Sequence, residues 1–362
     1  MTAIVSFFII VIAVYILAVI TDHFFVPSLD EVAKRLDMPS DVAGASLMAV
    51  GSSAPELFIA LTAVFAADAA HSSVGIGTIV GSAVFNILVI TGASAVIVGD
   101  LVVKKGSVER DIIFYLGSVA LLLFIFRDGE IVLLEAVGLF SAYILYLFIL
   151  WRWGENNPPE DEDEPQVEAA VVEEEVERKP KQNIFSSINK AITKVFGLIA
   201  RDPEKQYLWA MIVSIAAIAG ISWVLVEAAV AFAAALNLPT VLVSMTLLAA
   251  GTSAPDLIAS VDVARDGRGS MAVANAVGSD IFDVLVGLGV PWIIGLTILS
   301  QGVIEVDTAG LTTSIFLLSA TTVLLYIFLY TERRLTRREG WILLLAYVAY
   351  VGYAFFTTGS AT

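Results

Sequence analysis

Cysteine is absent from the 362 residues, and charged residues make up only 15% of them. The lack of cysteine excludes disulfides, thiolate metal sites and redox dithiols, so oxygen ligands are left for any metal. Such ligands suit hard cations. Hydrophobic residues, in contrast, make up 58% of the chain, a composition that indicates a protein surrounded largely by lipid.

Basic residues are also scarce, with 20 Lys and Arg against 36 Asp and Glu and a formal net charge of −16. Most of this acidity lies in one polar stretch, so it predicts neither a nucleic-acid partner nor an obligate protein partner. We find no nucleophile and base pair and no phosphate-cradling loop. An enzyme is therefore not expected, and neither is a cofactor.

Apolar stretches that are long enough, or nearly so, to cross a bilayer divide the chain into two sets of five. They lie at about 3–22, 41–66, 73–99, 111–127, 130–151, 207–235, 239–264, 270–300, 308–330 and 340–358. We predict an all-α integral membrane protein with ten transmembrane helices. Its domains are a first half at 1–151, a linker at 152–206 and a second half at 207–362.

The basic residues predict the orientation of these spans. If the N-terminus is outside, 19 of the 20 Lys and Arg residues fall on the inner side, and only Arg127 falls on the other. The first stretch lacks the basic region and cleavage pattern of a signal peptide, so we expect it to be retained as a helix. The prediction is a multi-pass protein of the plasma membrane, with both termini outside and the central linker in the cytoplasm.

The linker has two parts of different character. It opens with the acidic run ENNPPEDEDEPQVEAAVVEEEVE, which we expect to be disordered. It closes with NIFSSINKAITKVFGLIARDP, which is either a solvated linker helix or an amphipathic helix on the inner leaflet.

Two pairs of segments repeat between the halves. AVGSSAPELFIAL at 49–61 matches AAGTSAPDLIASV at 249–261, and TIVGSAVFNILVITG at 78–92 matches NAVGSDIFDVLVGLG at 275–289. Because five spans precede the second copy, that copy crosses the membrane in the opposite direction. The pattern predicts two inverted five-helix repeats, an architecture typical of secondary transporters.

Each copy of the first motif places a proline directly before a carboxylate near the middle of a span, as Pro55–Glu56 and Pro255–Asp256. The missing proline amide frees a backbone carbonyl one turn back, and a cation can satisfy it. An acid at this depth is costly without a partner, and these segments contain no basic residue. Helical spacing groups hydroxyls, acids and an amide in four sets: Ser52, Ser53 and Glu56; Thr252, Ser253 and Asp256; Ser82 and Asn86; and Ser279 and Asp283. Asp280 faces away from the Ser279 and Asp283 stripe, as a pore-lining or supporting group.

At these motifs the sequence resembles the calcium/cation antiporter superfamily, and DHFFVPSL and GSDIFDVLVGLGVPW look especially like the potassium-dependent sodium/calcium exchangers. The resemblance implies that Glu56 and Asp256 are central calcium ligands, completed by the Ser52 and Thr252 carbonyls. It also implies sodium sites that recruit, with the two acids, the residues Ala49, Ser53, Ser82, Ala249, Ser253 and Ser279. Asn86 and Asp283 hold the second repeat positions, and the equivalent of Asp283 is associated with potassium. Asp280 departs from the family pattern, in which Asn is usual.

The function predicted from these features is exchange of calcium against sodium by alternating access at one site made by both halves. The expected partners are Ca²⁺, Na⁺ and the lipid bilayer, and the involvement of K⁺ or H⁺ is left open. The nearest alternative is a proton/calcium antiporter that titrates the same acids. A cation channel is a poorer fit to inverted carboxylates at a closed midplane.

Overall fold

The computed structural model describes residues 2–36, 47, 49–66, 69–103, 106–156, 184–299, 302–306, 311–332 and 334–359. Its α-helices are α1 Thr2–Ile20, α2 Val26–Arg35, α3 Ala49–Ser52, α4 Ala54–Ala66, α5 Ala69–Phe85, α6 Thr91–Val98, α7 Ser107–Ile125, α8 Leu133–Asn156, α9 Ile184–Ala200, α10 Tyr207–Leu236, α11 Thr240–Val243, α12 Ala249–Thr252, α13 Ala254–Arg265, α14 Gly269–Phe282, α15 Gly289–Thr297, α16 Leu311–Glu332 and α17 Arg337–Gly359. Two antiparallel ribbons connect loops, β1 Asp100–Val102 with β4 Arg334–Thr336 and β2 Glu130–Ile131 with β3 Ile304–Glu305. The prediction of an all-α architecture is therefore confirmed.

Seven helices in the described part of the chain are long and apolar enough to cross a membrane. The bent pair formed by Thr240–Thr252 and Ala254–Arg265 brings the number to eight if it is one span. Of the other two predicted stretches, 41–66 lies partly outside the described residues, and 111–127 coincides largely with α7, which carries charges in its first turns. The protein is thus a multi-pass membrane protein, and the count of ten stays a prediction.

The helix that carries each copy of the first motif is interrupted at the same place. α3 ends at Ser52 and α4 begins at Ala54, and in the second half α12 ends at Thr252 and α13 begins at Ala254. The proline that follows each interruption has no amide to donate, but it is well tolerated in the first turn of a new helix. The sequence therefore divides each span into two shorter helices, and the second of these begins with the acidic residue in its first turn.

Short π-helical turns adjoin several of these helices: Thr21–Phe25, Asn86–Ile90, Ser244–Leu248 and Asp283–Gly287. Two of them begin at Asn86 and Asp283, which are equivalent positions of the second motif. A π-helical turn changes the direction of the side chains that follow it and is frequent at functional sites. Both copies of the second motif thus end in the same local distortion.

The helices of the two halves are packed into one another. α1 packs along α10, the 30-residue helix that opens the second half and ends at Asn237 in the left-handed conformation common at helix ends. α5 crosses the π-helical turn Ser244–Leu248 so closely that a methyl group at Gly81 would lie 2.6 Å from Met245 Cα. Close approach of this kind is what small residues allow in membrane proteins.

The helix α9 follows the acidic run, which lies outside the described residues apart from its first two positions. It contacts α1, where the Tyr15 hydroxyl donates a hydrogen bond to Asn189, and it contacts α10. The ring of Phe196 also lies 4.9 Å from that of Phe24 in the π-helical turn Thr21–Phe25. Val195 and Leu198 on its other side are exposed. An inner-leaflet location for this helix stays a prediction.

Candidate functional site

Glu56 is the most enclosed acid of the first motif. Its side chain is 3% exposed, and it interacts with the side chain of Thr252, which belongs to the other half. Its Oε2 atom is buried and has no hydrogen-bond partner. Since Glu56 stands in the first turn of α4, the positive end of that helix lies beside its carboxylate. The arrangement leaves a carboxylate oxygen available to a cation deep in the protein.

Asp256 occupies the equivalent position in the second half, but it is only half-buried. It lines a cavity of about 90 Å³ between α1 and the two interrupted helices. Ser52 and Thr252, the last residues before the two interruptions, also line this cavity. The cavity therefore joins both copies of the first motif.

The second motif brings a further carboxylate to the same place. Asp283 is 1% exposed, accepts a hydrogen bond of 3.2 Å at Oδ2 from the Ser82 hydroxyl, and interacts with Ser53 and with the Glu56 carboxylate. The Ser52 and Ser279 hydroxyl oxygens lie 3.4 Å apart. Each of these contacts joins a residue of the first half to one of the second, so the four motif segments form one cluster.

The remaining predicted residues are arranged around this cluster. Asn86 is 1% exposed and donates a hydrogen bond of 2.9 Å from Nδ2 to Asp280 Oδ1. Ser253 is buried, and its hydroxyl has no hydrogen-bond partner. The carbonyls of Ala49 and Ala249 accept hydrogen bonds from the Ser53 and Ser253 amides, of 3.0 and 3.1 Å. A carbonyl oxygen has two lone pairs, so this bond leaves the Ala49 carbonyl room for a second ligand, whereas the Ala249 carbonyl also accepts a bond of 3.4 Å from the Thr252 hydroxyl.

Several oxygens in and around this cluster are buried without a hydrogen-bond partner: Glu56 Oε2, Asn86 Oδ1, Tyr115 Oη, Ser253 Oγ, Asp280 Oδ2 and Asp283 Oδ1. Buried polar groups are normally satisfied, so such a concentration requires an explanation. Among the described residues, no group of three or more His, Cys, Asp or Glu side chains converges as a metal centre. A cation held here would therefore depend on hydroxyl, amide and carbonyl oxygens as well as carboxylates, which is common for calcium and sodium.

Two residues beside the cluster were undervalued or missed from the sequence. Asp280, which was predicted to face away from the Ser279 and Asp283 stripe, is fully buried, contacts Asn86 of the other half and interacts with the Asp283 carboxylate. Tyr115 on α7 lies beside the carboxylates of Asp280 and Asp283, although it belongs to no repeated motif. Its only signal is a polar group among the apolar residues that follow the charged first turns of this helix. For Asp280 the available signal was its departure from the usual Asn.

Interrupted helices that bring buried carboxylates together across two halves of a membrane bundle define the class of secondary ion transporters. The sequence profile described as "Sodium/calcium exchanger protein" matches residues 6–152 and 206–356, and the chain belongs to this family. The family is one of exchangers, so the protein is a transporter and not an enzyme.

Several proteins and solved structures that are similar to this chain are also named as exchangers. The human protein named sodium/potassium/calcium exchanger 4 is 27% identical, over 94% of this chain and 79% of its own length. A structure of the sodium-calcium exchanger NCX_Mj aligns with a TM-score of 0.57 and 23% identity, over 97% of this chain and 99% of that one. The structure of the H⁺/Ca²⁺ exchanger CAX aligns with a TM-score of 0.68 and 13% identity, over 96% of this chain and 80% of that one. At these identities, the two structures establish the shared fold.

Proposed function

We propose that the protein exchanges Ca²⁺ for Na⁺ by alternating access, at one site to which both halves contribute. In this proposal Glu56 and Asp256 are the central calcium ligands, with the Ser52 and Thr252 carbonyls. Ala49, Ser53, Ser82, Asn86, Ala249, Ser253, Ser279 and Asp283 complete the positions that calcium and sodium share. Competition of the two ions for the same oxygens couples their movements.

The observation that supports this proposal most strongly is the enclosure of Glu56. Its carboxylate lies beside Thr252 and interacts with Asp283, and one of its oxygens has no hydrogen-bond partner. Like charges buried so close together repel each other, and a buried acid without compensation is costly. A cation between the carboxylates removes both costs, which supports an ion site more than a structural role.

The proposed topology is ten spans in two inverted five-helix halves, 1–151 and 207–362, with a cytoplasmic linker at 152–206. Both termini are outside, in the plasma membrane. With this orientation the cavity beside Asp256 is on the cytoplasmic side, because its lining residues Val263 and Met271 flank the connection that contains Arg265 and Arg268. The alternative state would open toward Glu56 from the other side as α1 and α10 move.

Calcium-45 flux in proteoliposomes of the full-length protein tests the proposal, with sodium, potassium and pH gradients imposed one at a time. We expect calcium uptake to follow an outward sodium gradient. A potassium requirement would appear as a second dependence on that ion. Calcium uptake driven by a pH gradient in the absence of sodium would instead identify a proton/calcium antiporter, an alternative suggested by the buried acids and the fold shared with CAX.

The variant Glu56→Gln keeps the size of the side chain and removes its charge, so sodium-driven calcium flux should fall to the background of empty liposomes. Glu135→Gln is the matched control, because Glu135 also begins a transmembrane helix but accepts a hydrogen bond from the Val132 amide at the edge of the protein. Flux retained by Glu56→Gln at the level of Glu135→Gln would contradict the site assignment.

A further inference from the structure

Asp280 lies between two candidate ligands in the sequence, Ser279 and Asp283, but its side chain has a different neighbour. It accepts a hydrogen bond at Oδ1 from Nδ2 of Asn86, which is 2.9 Å away and belongs to the first half. Both side chains are enclosed, with exposures of 0% for Asp280 and 1% for Asn86. The contact therefore forms in a region without competing bulk water.

The chemistry of this contact fixes the direction of the Asn86 amide. In this contact the Asp280 carboxylate oxygen is the acceptor and the Asn86 NH₂ group is the donor, so the NH₂ group, and not the amide oxygen, faces Asp280. The amide oxygen Oδ1 then points away from Asp280, and it is buried without a hydrogen-bond partner. An amide oxygen is a ligand for hard cations, whereas an amide NH₂ group repels them.

An asparagine at position 280 would act differently. Two amides that face each other can form a single N–H···O bond in either of two orientations, and only one of them leaves the Asn86 oxygen free. An ionised aspartate has no hydrogen to donate, so it cannot bond to the Asn86 oxygen and the second orientation is lost. The Tyr115 hydroxyl also lies beside the Asp280 carboxylate.

We propose that Asp280 is a positioning residue that holds the Asn86 amide with its oxygen available to the transported cation. This inference rests on the proposed function, because it assigns a purpose to Asn86 in the shared site. It makes the amide position of the first half dependent on a carboxylate of the second half.

Equilibrium calcium-45 binding to the detergent-purified full-length protein tests the inference through a double-mutant cycle of wild type, D280N, N86A and D280N/N86A. If the two orientations become equally populated in D280N, only half of the protein is competent and calcium affinity falls about twofold. Any direct effect of the lost Asp280 charge adds to this fall, but that effect persists in the N86A background. We therefore expect D280N to weaken calcium binding at least about twofold more with Asn86 present than without it.

Equal fold-changes in the two backgrounds would overturn the inference, since Asp280 would then act on the ion by its charge alone. The same cycle with D280S, whose hydroxyl both donates and accepts, supplies a second measurement if D280N is poorly folded, and it has the same two outcomes. Sodium displacement of calcium from the wild type tests the proposed function separately. If sodium displaces calcium but the mutant cycle is additive, only the positioning role of Asp280 is contradicted. If the wild type binds no calcium, both the positioning role and the proposed function are contradicted.

Discussion

The two halves interrupt their helices at equivalent residues, yet they expose their acids to different degrees. Glu56 is 3% exposed, whereas Asp256 is half-buried and lines the cavity beside α1. The same helix interruption therefore positions one enclosed carboxylate in the first half and one accessible carboxylate in the second. In the proposed mechanism, a cation that enters through this cavity meets Asp256 before Glu56.

The second motif adds another difference between the halves, in the number of acidic residues. Ala83 and Asn86 in the first half correspond to Asp280 and Asp283 in the second. Within the four motif segments, the first half thus contributes one acid, Glu56, and the second contributes three, Asp256, Asp280 and Asp283. Inverted repeats need not share the charge equally, and this asymmetry can be tested by moving charge from one half to the other.

Removal of the Asp283 charge should have the largest effect of these exchanges. Asp283 interacts with Glu56 and with hydroxyls of the first half, so Asp283→Asn should weaken calcium binding on the order of 10–100-fold. Asn86→Asp in the same protein restores the charge on the opposite half. Equilibrium calcium-45 binding should show partial recovery in Asp283→Asn/Asn86→Asp if both positions contact one site. Because a carboxylate at position 86 would face Asp280, the variant that also carries Asp280→Asn is measured beside it, and no recovery in either would indicate that the two positions serve separate ions.

An exchange of side-chain length should have a smaller effect. Glu56→Asp and Asp256→Glu each keep the charge but move the carboxylate by one methylene, and we expect each to weaken calcium binding on the order of tenfold, or about 1.4 kcal/mol. The double variant inverts the two halves and restores the sum of the two lengths. Binding closer to wild type in the double variant than in either single variant would support a shared ion, while a hundredfold additive loss would indicate independent acids.

The sequence predicted much of this site because its signals are local. A proline before an acid in each half located the interrupted helices, and hydroxyls one turn away located the cluster. Tyr115 could not be predicted, because it reaches the carboxylates from α7, which is remote in sequence from all four motif segments. The different enclosure of Glu56 and Asp256 was equally inaccessible, since their local sequences are nearly the same and only tertiary packing distinguishes them.

Helical phase was partly informative for Asp280. The 100° rotation per residue separates Asp280 from Ser279, but it leaves Asp280 only about 60° from Asp283, three positions on, and the two carboxylates interact. It also could not identify Asn86 as the partner of Asp280, because that contact crosses between the halves. The π-helical turns at Asn86 and Asp283 also alter the phase of the residues that follow them. Regular periodicity predicts neither the turns nor the directions of the side chains beyond them.

The smallest effect on calcium binding should come from a pair of equivalent glycines, Gly81 and Gly278, which supply no side-chain ligand and should change stability instead. A methyl group at Gly81 would lie 2.6 Å from Met245 Cα, whereas one at Gly278 would have no neighbour within 4 Å. Gly81→Ala must separate α5 from the π-helical turn Ser244–Leu248, which should cost about 1–3 kcal/mol. Gly278→Ala lowers the conformational entropy of the unfolded chain and causes no clash, so it should be neutral or stabilising by up to about 1 kcal/mol. The thermal midpoints of the two purified variants should therefore move apart, with Gly278→Ala as the matched control. Equal midpoints would mean that α5 and the turn Ser244–Leu248 can move apart at little cost. The close approach at Gly81 would then not contribute to the stability of the contact between the halves.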